Sequence, residues 1–224
     1  MPTLPSSATT AISSWRGYWT KKIREASNAN ESAGRNPERR EEIKLLVGDA
    51  VSALGSGVGG VRLLDIGSGE GFLSREIPSS ETVCLDFVSA ALRGDGGQHA
   101  NRGVCGELSR LPFGAESFGA VFCGSALHYV PVWEVRTILK ETYRVLSPGG
   151  VAFFQAIPDA KFKAEYLKGC PLDSYDDNER ATWWSPRALH QLAYSEMFAP
   201  QILEPDSRLW HSWYMFDLLL RKEA

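Results

Sequence analysis

The sequence has no uninterrupted apolar run near the 18 or so residues needed to cross a bilayer, and its opening Met-Pro-Thr-Leu-Pro-Ser-Ser lacks the basic and apolar regions of a secretory leader. The expectation is a cytoplasmic protein with no membrane span. Cysteine is scarce, with four in 224 residues (Cys84, Cys105, Cys123, Cys170), and no CxxC or metal-type spacing joins them. That excludes a disulfide framework or a zinc knuckle and leaves reduced, mostly buried thiols. Positive charge is not in excess either: 24 Lys/Arg stand against 27 Asp/Glu, net −3. No global field recruits nucleic acid or an anionic membrane. No Gly-Lys-Ser/Thr follows any glycine-rich turn, which removes the P-loop. Aromatic residues are plentiful, and seven tryptophans is high for this length.

Residues 1–14, rich in Ser, Thr, Ala and Pro, read as a frayed, disordered tail. Positions 21–44 carry seven Lys/Arg and five Glu, a balance that suits solvated helices. Pro37 marks a helix start, and Ile43, Leu46, Val47, Ala50, Val51 and Leu54 then recur at helical spacing. Beyond the Gly-rich loop 55–60 the pattern alternates. Strands are expected at Val61–Ile66, Thr82–Phe87, Gly103–Cys105, Ala120–Gly124 and Val151–Ala156. Helices are expected at Phe72–Ile77, from Ser89, and most clearly along the stripe Val132, Val135, Ile138, Leu139, Thr142, Val145, Leu146. Strands alternating with helices imply a doubly wound α/β sheet, mainly parallel and covered on both faces. Ser185-Pro186 reads as an N-cap with proline at the first helical position, opening a helix over Arg187–Phe198. Ile202–Glu204 and Trp210–Leu220 read as an antiparallel pair at the sheet edge.

The strongest candidate site is Asp65-Ile66-Gly67-Ser68-Gly69-Glu70-Gly71. A strand running into a glycine turn lets a ligand approach the backbone, and a helix N-terminus beyond it would offer free N–H groups. Asp86 ends the second strand, fifteen residues after Gly71, where a carboxylate can accept both hydroxyls of a ribose. The spacing Gly-x-Gly-x-Gly differs from the dinucleotide fingerprint Gly-x-Gly-x-x-Gly. The acidic turn Asp173, Asp176, Asp177, Glu179 reads as solvated, His99 as a solvated loop residue, and no metal is expected.

Taken in order, the pieces are recognisable. Val61 through Ser74 resembles motif I of the class I S-adenosylmethionine-dependent methyltransferases. Leu85-Asp86-Phe87 resembles their ribose-binding strand end, and Gly106 through Phe113 the segment that brackets the adenine. Glu116 through Val130 resembles motif IV, and Leu139 through Gly150 the helix and loop that follow. The likeness is greatest to the type 11 subgroup, which includes quinone-biosynthesis and many natural-product enzymes. It implies a Rossmann-like, seven-stranded, mostly parallel sheet with an antiparallel C-terminal edge strand and a small helical cap. Residues 15–224 would form one domain: cap 15–57, cofactor core 61–156, acceptor-side insertion and helix 157–200, terminal strands 201–224. Two departures stand out. Glu107 replaces the more usual Asp of the adenine segment, and Ser117-Phe118-Gly119 lacks the Asp usual after Ser-Phe.

The resemblance implies S-adenosyl-L-methionine as cofactor, with Asp65, Gly67, Ser68, Gly69, Gly71, Asp86, Phe87, Glu107, Leu108 and Ser125 around it. His128 and Tyr129, just beyond the fourth strand, are the catalytic candidates. His128 is either a base for a protonated acceptor or a residue that shapes the pocket. Tyr18, Trp19, Trp183 and Trp184 flank the core and could cover an acceptor pocket, or could simply pack the flanking elements. His190 and His211 are weaker candidates. The expected reaction moves a methyl group to the oxygen or nitrogen of a small, aromatic or apolar metabolite, in a monomer or homodimer. Two alternatives are a tRNA- or protein-directed methyltransferase and a cofactor-binding protein without methyl transfer.

Overall fold

A computed structural model describes residues 6–25, 40–93, 102–169 and 181–224. Pro37, the Gly-rich break after Arg93, His99, Cys170 and the acidic turn 173–179 lie outside them. In chain order come helices α1 (Ser6–Glu25) and α2 (Arg40–Leu54), then strands β1 (Arg62–Ile66), β2 (Glu81–Asp86), β3 (Arg102–Cys105) and β4 (Phe118–Gly124). Helix α3 (Val132–Val145), strand β5 (Leu146–Pro158) and helix α4 (Lys163–Gly169) follow. Helix α5 (Pro186–Ser195) and strands β6 (Ala199–Leu203) and β7 (Met215–Arg221) complete the chain.

The strands form one sheet in the order β3-β2-β1-β4-β5-β7-β6. Strands β1 to β5 pair parallel, and β7 runs antiparallel to both β5 and β6. The expected seven-stranded, doubly wound sheet is therefore present. Its one antiparallel strand, β7, sits between β5 and β6, so the outermost position belongs to β6. Chain order reverses between β1 and β4, which makes their carboxyl ends the switch point where such sheets take ligands.

Side chains alternate across each strand with period two. Leu63 packs on one face with Leu46, Ala50 and Leu54 of α2, Phe122 and Phe153. Leu64 and Ile66 pack on the other with Val135, Ile138 and Leu139 of α3 and Leu189 of α5. Each such buried aliphatic side chain contributes about 1.5–3 kcal/mol. Both faces are covered, as the near-continuous apolar strands require.

Three local expectations give way. The chain is helical from Ser6, so residues 6–14 are not a tail. Ala8, Ala11, Ile12, Trp15 and Trp19 fall at helical spacing, a stripe hidden by the Ser/Thr around it. The helices expected at Phe72–Ile77 and from Ser89 reduce to single 3₁₀ turns, Ser74–Glu76 and Ala91–Arg93. The first is cut off by Pro78 after too few residues to nucleate an α-helix. Helix α5 begins as read, with the Ser185 hydroxyl accepting from the Ala188 amide at 3.4 Å and Pro186 at the start.

Gly119 explains one departure from the family pattern. A Cβ there would lie 2.5 Å from Cβ of Val61, so no aspartate fits without displacing the residue that precedes β1.

Candidate active site

A cavity of about 180 Å³ opens at the switch point. Its floor is the turn after β1. The amides of Gly67 and Ser68 both donate to the carbonyl of Leu85 (2.8 and 3.1 Å), and that of Gly71 to Ser68 (2.9 Å). The turn is thereby tied to β2. Gly67 has φ +69°, and a Cβ on it would stand 2.6 Å from that of Ala126, so the loops after β1 and β4 touch only because this residue has no side chain. The expected helix N-terminus does not follow the turn: the next element is the 3₁₀ turn Ser74–Glu76, and the amides of Gly67, Ser68, Gly69 and Gly71 are already taken by Leu85, Asp86 and Ser68.

Asp86 closes the turn. Its Oδ2 accepts from the Gly69 amide at 2.9 Å and its Oδ1 from Val88 at 2.8 Å. A carboxylate oxygen can accept more than one hydrogen bond, so this strand end is chemically suited to hydroxyl donors. Asp65, at the end of β1, is almost wholly buried yet lines the cavity. Burial pushes its carboxyl up to about 7; the Ser74 hydroxyl opposes the shift and the Asp86 charge adds to it.

The segment 106–113, expected from the resemblance to bracket adenine, is held from behind. On α3, Arg144 donates Nη1 to the Phe113 carbonyl (2.7 Å) and Nη2 to that of Leu111 (3.0 Å). Glu141 grips Arg144 at 2.7 Å and accepts the Leu111 amide at 2.9 Å. The pair holds Glu141 below its usual carboxylate range. Glu107 and Leu108 thus reach the cavity wall on a segment clamped by two charged side chains, beside Phe87.

The far wall follows β4. Ser125 takes a left-handed conformation (φ 56°), unusual for a side chain other than glycine, with its amide donating to the Gln155 carbonyl. Beyond it Tyr129 meets Trp15 and Trp19 of α1 edge to face, each with ring centroids 4.9 Å away. With Ile23 these two tryptophans occupy positions i, i+4 and i+8 of α1 and roof the cavity.

Most sequence-read residues come together here: Asp65, Gly67, Ser68, Gly69, Asp86, Phe87, Glu107, Leu108, Ser125, Tyr129 and Trp19 all line the cavity. Gly71 does not, but shapes the turn with φ +68°. Tyr18 supports the roof from behind, edge-on to Trp15 and Trp19. His128 is buried beside Tyr129 (centroids 4.1 Å) and outside the lining. Desolvation lowers its imidazole to about 4, and its Nδ1 has no partner among the described residues.

Two tryptophans lie elsewhere. Trp184 bridges Asp159 in strand fashion, its amide donating to Pro158, and that pairing draws the ring into the core near α5. Trp183 joins Tyr166 and Tyr214 in a separate aromatic cluster. His190 and His211 are likewise absent from the lining. Sequence reading missed Glu70, Phe72, Pro131, Glu134 and Ile138 as wall residues. The first turn of the helix after β4 was the available signal for Pro131 and Glu134.

Comparison with known proteins bears out the resemblance. A family model described as a methyltransferase domain matches residues 64–154. The bifunctional biotin-biosynthesis protein BioHC of Cellvibrio japonicus is 33% identical over 100 residues, 43% of this chain and 20% of that protein. The ubiquinone/menaquinone biosynthesis C-methyltransferase UbiE of Cereibacter sphaeroides is 31% identical over 121 residues, 48% of each chain. The chain thus spans half or less of the length of these relatives. The phosphoethanolamine N-methyltransferase 1 of Haemonchus contortus, solved with phosphoethanolamine and S-adenosylhomocysteine, superposes with TM-score 0.77 at 16% identity. It covers 96% of this chain and 50% of its own, a likeness of fold. Among the described residues no cluster of His, Cys, Asp or Glu could hold a metal, and no helix is long and apolar enough to cross a membrane.

Proposed function

We propose that this chain is an S-adenosylmethionine-dependent methyltransferase that transfers the methyl group to the oxygen or nitrogen of a small, apolar or aromatic acceptor. One observation carries the reading. Asp65, Asp86 and Glu107 follow one another along the carboxyl ends of β1, β2 and β3, in a cavity that Trp15, Trp19 and Ile23 of α1 also line. S-adenosylmethionine supplies an already activated methyl on a sulfonium, so the protein's work is orientation and exclusion of water. In this assignment Asp65 faces the cofactor's ammonium, Asp86 takes the ribose hydroxyls, and Glu107 accepts from the adenine amino group with Leu108 against the ring.

Tyr129, Trp15 and Trp19 then close the acceptor side. His128 is a positioning residue for Tyr129: a buried imidazole held down to about 4 is a poor proton acceptor at neutral pH. Its carbonyl accepts from the Thr182 amide at 2.8 Å, and the Thr182 hydroxyl donates to Val130. The loop after β4 is thus braced by the segment before α5. A cavity of about 180 Å³ with an acidic lining suits a small molecule better than an RNA backbone.

Calorimetric titration with S-adenosylmethionine and S-adenosylhomocysteine tests this. Micromolar binding of both, followed by acceptor-dependent formation of S-adenosylhomocysteine, is the expected result. Failure of both to bind refutes the assignment, and binding without turnover on any small acceptor leaves a cofactor-binding protein.

A further inference from the structure

Charge on the cavity wall is all of one sign. Asp65, Glu70, Asp86, Glu107 and Glu134 line it, and no Lys, Arg or His does among the described residues. The proposed assignment engages Asp65, Asp86 and Glu107 with the cofactor. Glu134 stands apart from them, in the first turn of α3, beside Val130 and Pro131. It is partly buried and makes no ion pair or side-chain hydrogen bond among the described residues. The nearby cations of α3 do not compensate it, because Arg136 and Lys140 both pair with Glu196 of the α5 terminus.

The same cavity is lined by Trp15, Trp19 and Tyr129, rings of a kind whose faces attract cations. The protein's own chemistry illustrates this: the Lys22 ammonium, outside the lining, rests 4.9 Å from the Trp19 ring centroid. Among the described lining residues, an anionic acceptor, whether carboxylate or phosphate, would meet only carboxylates of its own charge. A neutral acceptor would leave Glu134 facing apolar surface.

We propose that the acceptor is an amine on an apolar body, bound as its cation between Glu134 and the Trp15–Trp19–Tyr129 rings, and that transfer is therefore to nitrogen. The inference rests on the methyl-transfer reading of this cavity. The ammonium gives one proton to the Glu134 carboxylate, which passes it to solvent. The freed nitrogen lone pair forms the N–CH₃ bond as the S–CH₃ bond breaks. The bonding pair stays on sulfur, leaving a neutral thioether and a methylated ammonium, so charge and atoms balance.

The test uses the full chain loaded with S-adenosylhomocysteine and four probes of like shape: 2-phenylethylamine, N,N,N-trimethyl-2-phenylethylammonium, 2-phenylethanol and 3-phenylpropanoate. Both cations are expected to bind about tenfold or more tighter than the alcohol, with the carboxylate weakest. Glu134→Gln should cut the preference for cation over alcohol at least about threefold while S-adenosylhomocysteine affinity holds. Equal or tighter binding of the alcohol, no binding of either cation, or an unchanged ratio in the variant overturns the amine assignment and leaves methyl transfer standing. Failure to load S-adenosylhomocysteine refutes the methyl-transfer reading itself and the amine assignment with it.

Discussion

Cofactor binding should expel a proton from Asp65. The carboxyl sits at about 7 in the free protein because burial penalises its charged form, with the Asp86 carboxylate adding to the effect. A cofactor ammonium arriving opposite it reverses the balance and favours ionisation. At pH 6 a group titrating at about 7 is ~0.9 protonated, and at pH 8 ~0.1, so binding should release ~0.9 proton at the lower pH and almost none at the higher. The measurement is S-adenosylhomocysteine titration at pH 6 in two buffers of different ionisation enthalpy. The apparent heats should differ by ~0.9 of the difference between the buffers' ionisation enthalpies, and coincide at pH 8. Asp65→Asn should abolish the difference and weaken binding. It should also stabilise the empty protein at high pH. A carboxyl raised from its usual 3.8 penalises folding increasingly as pH climbs from about 4 through about 7, by up to about 4 kcal/mol. Buffer-independent heats at pH 6 would refute either the protonation of Asp65 or its placement opposite the ammonium.

Asp86→Ala should weaken S-adenosylhomocysteine binding by about 1.5–3 kcal/mol, roughly 10- to 150-fold, and lower Tm as well, since the amides of Gly69 and Val88 lose their acceptor; calorimetry showing unchanged affinity would remove the ribose from this strand end. Arg144→Ala frees the carbonyls of Leu111 and Phe113 and should cost about 2 kcal/mol in urea unfolding, with reduced cofactor affinity through Glu107. An unaltered midpoint and affinity would show that the clamp is idle. His128 takes up a proton near 6.5 when unfolded but only near 4 when folded, so it draws down stability by about 3 kcal/mol as pH falls across that window. His128→Phe should flatten that acid limb relative to the parent protein, and parallel pH profiles of the two would contradict the burial of the imidazole.

The succession of strands along the chain and the glycine turn were legible because both are local: apolar runs of strand length, turn residues at their ends, and carboxylates beside the tips of β1 to β3. The helix stripe of α3 was equally plain. What escaped was set by partners distant in sequence. Trp184 has the composition of a pocket wall, yet backbone pairing with Asp159 turns it into the core. Residues 6–14 look unstructured by composition, although the helix continuing into Trp15 and Trp19 includes Ser6 onward. Glu134 resembles any acidic residue at a helix start, favoured there by the dipole. Only the fold shows that this helix end opens into the cavity. The brevity of the turn after Gly71 was signalled by Pro78, whose effect the apolar pattern of residues 72–77 concealed.

Helix α3 acts on both ends of the cavity at once. Glu134 and Ile138 stand in the cavity wall, while Glu141 and Arg144, one to two turns beyond Ile138, hold the backbone that carries Glu107. From Glu134 to Glu141 is seven residues, about 10 Å of rigid rod. In the proposed assignment a tilt of that rod would move both walls together, and occupancy at the adenine end would bias the geometry offered to the acceptor. On that assignment the helix would be a lever with a hand at each end, its stiffness linking two separate recognitions.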